Sequence, residues 1–519
     1  MRLSSFLPAV FAALAAATAV PRAQSGFKSE TAARAISANT TTSLAAVAGP
    51  PLTFHYSTPD PDSKNWIGIW NDYYGGPDNQ TSVANSLAWN WADKAQGSVQ
   101  VDVSKLQAGR YKAYFLAKGG YKWLADPIEV FVPGTGPLEF LIKNLTTQHA
   151  RVGDAFVAVV SGLLANPKDQ NTTYAVINRH CADWISISKN GTISGTPTAR
   201  GLTKFTVAAT GSDGSVAHLP VTVPVVNAKD ALVEKLKVLT FNIWQGGKNV
   251  NDYHRKQLNF LTGIDADVVG MQESFFRDGL RLAKALGWYV WQSNDASIIS
   301  RYPIVEVYPQ VAAGGAVRIA VDGADSQIIM YNAHLGYDPY GPYDFCFSHY
   351  DKAKVLDREA ESGRTPQIIE IMGRMRPQIA NYKDVPVVLT GDFNAPSHLD
   401  WTNSTAKQHC GVGDFGWPSS VHPIEGGLID SFREMHPDPV KTPGITWSPI
   451  YLKNNNRDEP MDRIDFIYHK GMKTLASEVV LVGNPTPEPN HKNNEWTSDH
   501  AAVLSTFKIP NKRQQSVQA

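Results

Sequence analysis

The chain has little cysteine, no excess of charge of either sign, and a single long apolar run, near its start. Three cysteines in 519 residues exclude a disulfide scaffold, so each domain must be held by a hydrophobic core. The 48 basic and 48 acidic residues give a formal net charge of zero, whereas a dedicated nucleic-acid binder would carry a basic excess. One disulfide at most can form, and we predict Cys346–Cys410 because both residues fall in the same C-terminal domain.

Residues 1–19 are typical of a signal peptide. Arg2 supplies a positive charge, residues 6–17 are apolar, and Ala17-Thr18-Ala19 offers a cleavage site. The alternative, a buried N-terminal helix, is less favoured, and a membrane span would need about 20 apolar residues. No other segment is long and apolar enough to be transmembrane. Six glycosylation sequons agree with a secreted, extracellular protein: Asn39, Asn79, Asn144, Asn171, Asn190 and Asn403.

The rest of the N-terminal half divides by composition into a lead-in and two β-rich stretches. Residues 20–48 are rich in Ala, Ser and Thr and predict a flexible lead-in. Short strands broken by turn residues over 49–133 predict an antiparallel sandwich. Its N-W-I-G-I-W and G-R-Y-K-A-Y-F-L runs resemble the immunoglobulin-like modules found at the N-terminus of some phosphatases. A second β-rich stretch, 138–227, contains "NGTISGTP", with an Asn-Gly hairpin signal, and resembles cadherin-like immunoglobulin repeats.

The first β-rich stretch holds five tryptophans that allow two interpretations. They could form a face that contacts a cell surface or a polysaccharide, or they could be core residues of a small sandwich, which is the commoner arrangement. We expect both sandwiches to be spacers or docking modules rather than catalysts. The five residues are Trp66, Trp70, Trp89, Trp91 and Trp123.

From 235 to 509 the pattern changes to apolar strands that alternate with amphipathic helices, which predicts an α/β domain; residues 510–519 form a polar tail. Polar residues recur where the strands end. Each one alone is most simply a cap or turn residue. Asp465 is more informative, because it lies inside an apolar run and a buried carboxylate needs a partner. The recurring set is Asn242, Glu273, His334, Asp392, Asn394, Asp465, Asp499 and His500.

Seven short motifs occur in order, and six of them, all except "SRYPI", contain these positions: "TFNIW", "MQE", "SRYPI", "NAHL", "GDFN", "RIDFI" and "SDH". The ordered set resembles the endonuclease/exonuclease/phosphatase superfamily, with its deoxyribonuclease-I-like fold. The resemblance implies two N-terminal all-β immunoglobulin-like sandwiches followed by a four-layer α/β sandwich. It also implies a metal-dependent phosphoric ester hydrolase.

The resemblance implies roles for the polar residues. Glu273 would be the main ligand of Mg²⁺, or of Mn²⁺ in its place, with Asn242 nearby and Asp499 as a second acid at the metal. Asp392 and Asn394 would position the attacking water and a phosphate oxygen. His500, oriented by Asp465, would act as general base or stabilise the developing charge. His334 would contact the phosphate or the leaving group.

The substrate is less well specified. Residues 235–519 carry 29 Lys and Arg against 32 Asp and Glu, which disfavours a long duplex without excluding it. The aromatic residues of 336–345 could line the active site or pack as a surface loop, and residues 395–401, after GDFN, lack the Arg of inositol phosphatases. We expect a secreted phosphodiesterase or phosphomonoesterase for a small or headgroup-sized substrate. An extracellular nuclease, a sphingomyelinase-like phospholipase and a surface-binding protein with vestigial catalysis are the alternatives.

Overall fold

The computed structural model describes residues 42–511 except 48 and 84. The predicted signal peptide, most of the predicted lead-in, Asn39, and residues 512–519 of the polar tail lie outside the described residues. Within the described ranges, no helix is long and apolar enough to cross a membrane.

Seven antiparallel strands in two sheets form the first sandwich. One sheet has the order β1-β2-β5 and the other β4-β3-β6-β7. Residues 43–47, which composition placed in the flexible lead-in, instead form an edge strand on β2, so that part of the prediction is wrong. This strand is hard to recognise from the sequence because it contains alanines in place of the alternating β-branched residues that usually indicate a strand. The strands are β1 (Ser43–Val47), β2 (Leu52–Ser57), β3 (Trp66–Asn71), β4 (Ala88–Trp91), β5 (Gln96–Val101), β6 (Gly109–Leu116) and β7 (Ile128–Val132).

The five tryptophans of this sandwich divide between core and surface. Trp66 and Trp70 are buried, whereas Trp89 and Trp91 on edge strand β4 are 49% and 46% exposed. The two exposed rings meet edge to face, with their centroids 5.0 Å apart. A surface contact through this edge therefore stays a prediction that only Trp89 and Trp91 can carry.

The second sandwich pairs a five-stranded sheet, β10-β17-β16-β13 with β9 on β17, with the three-stranded sheet β11-β15-β14; β8 and β12 form a ribbon. The predicted Asn-Gly hairpin joins β14 to β15, where Gly191 has φ +74°, a conformation that glycine adopts without strain. The strands are β8 (Glu139–Phe140), β9 (Leu145–Thr146), β10 (Ala150–Arg151), β11 (Phe156–Val159), β12 (Leu164–Ala165), β13 (Thr173–His180), β14 (Ile185–Ile187), β15 (Thr192–Gly195), β16 (Gly201–Thr210) and β17 (Val216–Val226).

Among the described residues, the C-terminal domain is built from two six-stranded sheets, the two-stranded ribbon β27-β28 and seven helices. The strands are β18 (Lys235–Asn242), β19 (Val268–Gln272), β20 (Tyr289–Gln292), β21 (Ser297–Ser300), β22 (Ile304–Val307), β23 (Gly314–Asp322), β24 (Ser326–His334), β25 (Val387–Asp392), β26 (Ile429–Asp430), β27 (Lys453–Asn454), β28 (Arg457–Asp458), β29 (Asp465–Lys470), β30 (Lys473–Val480) and β31 (Ala502–Lys508). The helices are α1 (Tyr253–Gly263), α2 (Asp278–Leu286), α3 (Gly341–Cys346), α4 (Lys352–Glu361), α5 (Arg364–Ala380), α6 (Pro418–Glu425) and α7 (Ser431–Met435).

The two sheets, β20-β21-β19-β18-β31-β30 and β22-β23-β24-β25-β29-β26, pack face to face with helices outside them. Side chains of β18 alternate between the two sides: Leu236 and Val238 enter the core between the sheets, and Leu239 and Phe241 face α1 and α2. Helix α5 covers the other sheet. These layers are the predicted four-layer α/β sandwich.

The N-terminal modules pack on the α1 and α2 side of this domain. One continuous apolar cluster joins the core of the second sandwich to α1 and α2. Arg255 of α1 forms an ion pair with Glu139, with 2.7 Å between Nη2 and Oε1, and the Asn259 side chain donates to the Leu141 carbonyl at 2.8 Å. The second sandwich is therefore packed firmly against the C-terminal domain rather than joined to it only by a linker.

Three further expectations for this domain can be compared with the structure. The disulfide Cys346–Cys410 is present, and Cys181 is free and exposed. The sequence predicts a long helix over 352–375 that Pro366 interrupts; an interruption separates α4 from α5, but it lies at Gly363, with φ +88°. Pro366 sits in the first turn of α5, where no intrahelical N–H is needed, so it interrupts nothing.

Candidate active site

The predicted polar residues meet at one edge of the two packed sheets. Parallel strands β18 and β19 bring Asn242 opposite Gln272, next to Glu273. Parallel strands β24 and β25 bring His334 opposite Asp392, and antiparallel β29 brings Asp465 opposite Asp392. Residues at the carboxyl ends of parallel strands share an edge, so motifs distant in sequence converge there.

Asp392 lies at the centre of the site, with a side chain that is 1% exposed. Its Oδ1 accepts a hydrogen bond from the Asn394 backbone N–H at 2.9 Å, and its Oδ2 accepts one from the Asn242 amide at 2.9 Å. Oδ2 also lies 3.5 Å from His334 Nε2 and 3.6 Å from His500 Nε2. Two imidazoles therefore approach one carboxylate oxygen from different strands.

His500 is oriented by Asp465, as the resemblance implies. Nδ1 of His500 lies 2.9 Å from Asp465 Oδ2, and both side chains are buried. Burial lowers the pKa of His500, but the charges of Asp465, Asp392 and Asp499 outweigh it and raise that pKa well above its ordinary value. The imidazole is thus held in its charged form.

His334 has a partner that the sequence did not reveal. Its Nδ1 lies 2.7 Å from Oδ2 of Asp295, in the turn between β20 and β21. Burial lowers the pKa of His334, but the hydrogen bond to Asp295 and the charge of Asp392 outweigh it and raise that pKa to about 9. Oδ1 of Asp295 accepts from the Glu273 backbone N–H at 3.1 Å, so this carboxylate ties His334 to Glu273.

Glu273, Asp499 and Asn242 form the acidic side of the site. Oε2 of Glu273 accepts from the Gln245 N–H at 2.8 Å, and the Asn242 amide lies 3.3 Å from Oε1. Asp499 is buried and its Oδ1 has no hydrogen-bond partner. Burial, together with the charge of Glu273, raises the pKa of Asp499 to about 7. A hard divalent cation fits this place, because it would satisfy the orphaned oxygen and relieve the repulsion.

Two details qualify the predicted metal ligands. The Asn242 amide oxygen accepts from the Trp244 N–H at 2.9 Å, so Asn242 presents its amide N–H groups to the site, and metal binding by Asn242 stays a prediction. Asp392, Asp465 and His500 also have potential ligand atoms within 4.8 Å of one another. Both nitrogens of His500 already face these carboxylates, and this set is better described as an imidazolium between two acids.

A buried polar layer beneath the site locks the two sheets together. The Gln272 amide donates to the Asn332 side-chain oxygen at 2.6 Å, and the Thr390 hydroxyl donates to the same oxygen at 3.0 Å. The Asn332 amide in turn donates to the Met271 and Ser297 carbonyls at 2.9 and 3.0 Å. These residues hold the strands that carry Glu273, His334 and Asp392, and hydrogen-bonded polar groups in a core specify one arrangement.

Two partly buried aromatic rings lie next to His500. The Trp447 ring lies 4.9 Å from the His500 ring, and the Tyr451 ring lies 5.6 Å from that of Trp447. The Trp447 indole N–H donates to Glu459 at 2.8 Å. Burial and the charge of Asp499 raise the pKa of Tyr451 to about 12.

The aromatic residues of 336–345 are mostly not an active-site wall. Tyr340 and Phe345 are buried, and Tyr343 donates to Glu459 at 2.6 Å from within a short helical stretch. Tyr337 alone among them is largely exposed, at 74%. Packing explains this outcome, since Phe345 joins a core cluster with Trp401 and Trp417.

Two family models match this sequence, one over the second sandwich and the other over the C-terminal domain. A model of the Endonuclease/Exonuclease/phosphatase family matches residues 239–500, and an Ig domain model matches residues 139–226. An uncharacterized protein of Caenorhabditis elegans is 34% identical over 289 residues, which are 52% of this chain and 91% of that protein.

Solved structures similar to this chain include truncated TDP2 of Caenorhabditis elegans, at 17% identity, 53% of this chain, 98% of that chain and a TM-score of 0.36. They also include the 3'-5' exonuclease NExo of Neisseria meningitidis, at 20% identity, 53% of this chain, 100% of that chain and a TM-score of 0.36.

Proposed function

Because this chain belongs to the endonuclease/exonuclease/phosphatase family, whose members hydrolyse phosphoesters, we propose that its C-terminal domain is a Mg²⁺-dependent phosphodiesterase. The observation that carries the proposal is Asp392 between two histidines, each held by its own carboxylate, beside the acidic pair Glu273 and Asp499. Phosphoester hydrolysis needs a water-activating group, a proton donor and neutralisation of phosphate charge.

Asp392 and Asn242 are suited to activating water. Oδ2 of Asp392 is the oxygen that lies near both histidines, and the Asn242 amide, which donates to it, fixes its direction. His500, held in its charged form, is suited to stabilising charge on a phosphate oxygen rather than to accepting a proton. Of the two roles that the resemblance left open for His500, its raised pKa therefore favours charge stabilisation.

His334 is suited to protonating the leaving oxygen. Its pKa of about 9 keeps the imidazole charged at neutral pH, and Asp295 holds Nδ1 so that Nε2 points into the site. Glu273 and Asp499 would hold the cation, and Mn²⁺ has the same oxygen preference as Mg²⁺. A cation bound there would neutralise phosphate oxygens and lower the charge that builds up during attack.

The substrate proposed is a small or headgroup-sized phosphodiester. The C-terminal 285 residues carry more acidic than basic groups, and a long nucleic acid gains much of its affinity from basic ones. Trp447 and Tyr451 offer ring faces beside His500 for one substituent of the phosphate. Because bases stack on aromatic side chains, these two rings are also compatible with a nucleic-acid substrate, and nuclease activity is therefore one outcome of the test.

The test is a substrate panel with the purified full chain. We expect Mg²⁺ or Mn²⁺ to support turnover of bis(4-nitrophenyl) phosphate above that of 4-nitrophenyl phosphate, and EDTA to abolish it. Asp392→Asn and His500→Ala should each remove most turnover while the melting temperature stays within a few degrees, because both side chains line the site. Preferred cleavage of plasmid DNA or of sphingomyelin would replace the proposed substrate class. No turnover of any substrate with either cation would refute the proposal.

We also propose that the protein is secreted. The disulfide Cys346–Cys410 suits an oxidising compartment, and the five sequon asparagines that the structure describes are exposed. Expression of the full sequence in eukaryotic cells should deliver a protein to the medium whose mass falls on treatment with peptide N-glycosidase. Retention of an unglycosylated chain in the cell lysate would contradict this.

A further inference from the structure

A loop of the first sandwich reaches the catalytic domain beside the metal-binding carboxylate. It follows β3 and comprises residues 72–75, here called the 72–75 loop. Both carboxylate oxygens of Asp72 lie 2.7 Å from Nζ of Lys284, and this ammonium also lies 4.6 Å from the centroid of the Tyr73 ring. The Arg277 guanidinium lies 4.4 Å from the centroid of the Tyr74 ring. Three successive loop residues thus each contact a cation of the α2 region.

Arg281 lies between these two cations along the chain. Arg281 and Lys284 are three residues apart on α2 and share a face of the helix, and Arg277 directly precedes the helix. Burial raises the pKa of the Tyr73 hydroxyl to about 12, while the Arg281 charge acts in the opposite direction. The 72–75 loop lies against these cations, of which Arg277 and Lys284 stay exposed to solvent and Arg281 is largely buried.

Arg281 connects this group of cations to Glu273. Its guanidinium donates to the Gly246 carbonyl at 3.1 Å and to the Gln257 side-chain oxygen at 2.8 Å. The N–H of Gly246 donates to the Glu273 carbonyl at 3.0 Å, and the neighbouring Gln245 N–H donates to the Glu273 carboxylate at 2.8 Å. The short turn Gln245–Gly247 therefore lies between the Arg281 guanidinium and both the backbone carbonyl and the side-chain carboxylate of Glu273.

Arg277 connects to Glu273 along the backbone. Only three residues separate them, and both have left-handed backbone angles, with φ +54° at Glu273 and +61° at Arg277. Residues other than glycine hold such angles only where their surroundings impose them. Asp295 constrains the segment from one side through the Glu273 N–H, and the Tyr74 ring contacts Arg277 at its other end.

We propose that the 72–75 loop is a positioning element of the active site, so that the first sandwich holds Glu273 in the geometry that binds the cation. This inference rests on the proposed function for its catalytic meaning, since Glu273 is the proposed metal ligand. A sandwich that only adhered to the domain would tolerate loss of the Tyr74 ring with no change at Glu273. A positioning loop would transmit that loss through Arg277 to the carboxylate.

The experiment uses the full chain with Tyr74→Ala, Tyr74→Phe and, as a matched control, Trp89→Ala, another partly exposed aromatic of the same sandwich. Calorimetric titration with Mn²⁺ in the absence of substrate measures cation affinity. Amide hydrogen exchange of residues 273–286, measured in EDTA, reports how well ordered this segment is when neither metal nor substrate is bound. We expect Tyr74→Ala to bind Mn²⁺ about tenfold more weakly, the effect of removing an outer-shell support, and to exchange faster. Tyr74→Phe keeps the ring face and should match the wild type, as should Trp89→Ala.

A charge exchange tests the second contact of the loop. Asp72→Lys and Lys284→Asp should each weaken Mn²⁺ binding, and the double variant should recover it, because only the pair restores attraction. At saturating metal kcat should stay near the wild-type value in Tyr74→Ala, which separates loss of cation affinity from loss of catalysis. Equal Mn²⁺ affinity and equal exchange in Tyr74→Ala and wild type would overturn the inference. A wild type that binds Mn²⁺ but cleaves no phosphoester would instead refute the proposed function alone.

Discussion

Replacing Asp295 with asparagine removes one charge from the site and little else. Oδ2 of this carboxylate lies 2.7 Å from His334 Nδ1, and Oδ1 accepts from the Glu273 N–H at 3.1 Å. The asparagine oxygen can keep the bond to Glu273, while its amide N–H₂ faces Nδ1 and forces it to accept. A neutral imidazole is then favoured, because a protonated Nδ1 would oppose another donor.

The size of the effect follows from the pKa of His334. Burial lowers it, and the Asp295 hydrogen bond with the charges of Asp392 and Asp295 raises it to about 9. Without Asp295 we expect a pKa near the ordinary histidine value of about 6.5. At pH 8 the charged fraction would fall from about nine-tenths to a few hundredths, so kcat for a substrate that needs the proton should fall about 30-fold.

The assay is kcat against pH for two diesters. Diphenyl phosphate expels phenoxide, which needs a proton, whereas bis(4-nitrophenyl) phosphate expels 4-nitrophenolate, which needs one far less. Asp295→Asn should move the alkaline limb for diphenyl phosphate from about pH 9 to about pH 6.5, and it should affect bis(4-nitrophenyl) phosphate much less. Asp357→Asn, at an exposed site on α4, should match the wild type. An alkaline limb that does not move, or an equal loss with both substrates, would refute proton donation by His334.

Glu273→Gln should weaken Mg²⁺ binding by at least about tenfold in calorimetry, because it removes the charge of the proposed ligand; unchanged affinity would remove Glu273 from the metal site. Burial raises the pKa of Asp462 from 3.8 to about 7, so the folded chain holds a proton that the unfolded chain loses. The stabilisation that protonated Asp462 contributes to the free energy of unfolding is greatest below pH 4, and it declines by up to about 1.4 kcal/mol per pH unit toward pH 7. When the free energy of unfolding is measured by urea titration at several pH values, Asp462→Asn should show a weaker dependence on pH between 4 and 7 than the wild type. An equal pH dependence in the two proteins would contradict a raised pKa for Asp462. Cys346→Ser should cost about 4 kcal/mol for a separation of 64 residues, measured against the wild type with and without reductant; an equal effect of reductant on both proteins would be inconsistent with a folded-state disulfide.

The site was predictable where its residues end apolar strands. Asn242, Glu273, His334 and Asp392 each follow a run of buried residues, and parallel pairing brings such ends together. The order of the motifs added Asp465, whose burial within a strand already required a partner. Sequence reasoning therefore found most of the acids and both histidines, because each carries a local signal.

Asp295 had no such signal. It lies in the four-residue turn Ser293–Ala296, where an Asn-Asp pair is adequately explained by turn formation. Its role depends on a contact across the gap between the sheets, from the loop after β20 to the end of β24. The same holds for Trp447 and Tyr451, which lie in an irregular segment and reach His500 only through the tertiary fold.

The segment after GDFN, residues 395–401, is mostly buried. Ala395, Ser397 and Trp401 are sealed from solvent, and Asp400 is bound by Arg433 and by Arg463, with 2.9 Å from its Oδ2 to Arg463 Nε. Arg463 also donates to Asp430 at 2.8 Å. Because Arg463 stands two residues before the acid that orients His500, this buried network supports the start of β29 from behind.

That network also constrains where substrate selectivity can arise. A buried ion pair that loses one partner leaves an uncompensated charge, so Asp400 and Arg463 are poor places to vary with substrate. Residues that touch a substrate must instead be accessible beside His500, and Trp447 and Tyr451 meet that requirement. Their rings sit on the segment that also supplies Glu459, whose carboxylate holds the Trp447 indole at 2.8 Å. Differences in substrate among relatives with the same strand-end residues should therefore follow changes in residues 447–459 rather than in the segment after GDFN.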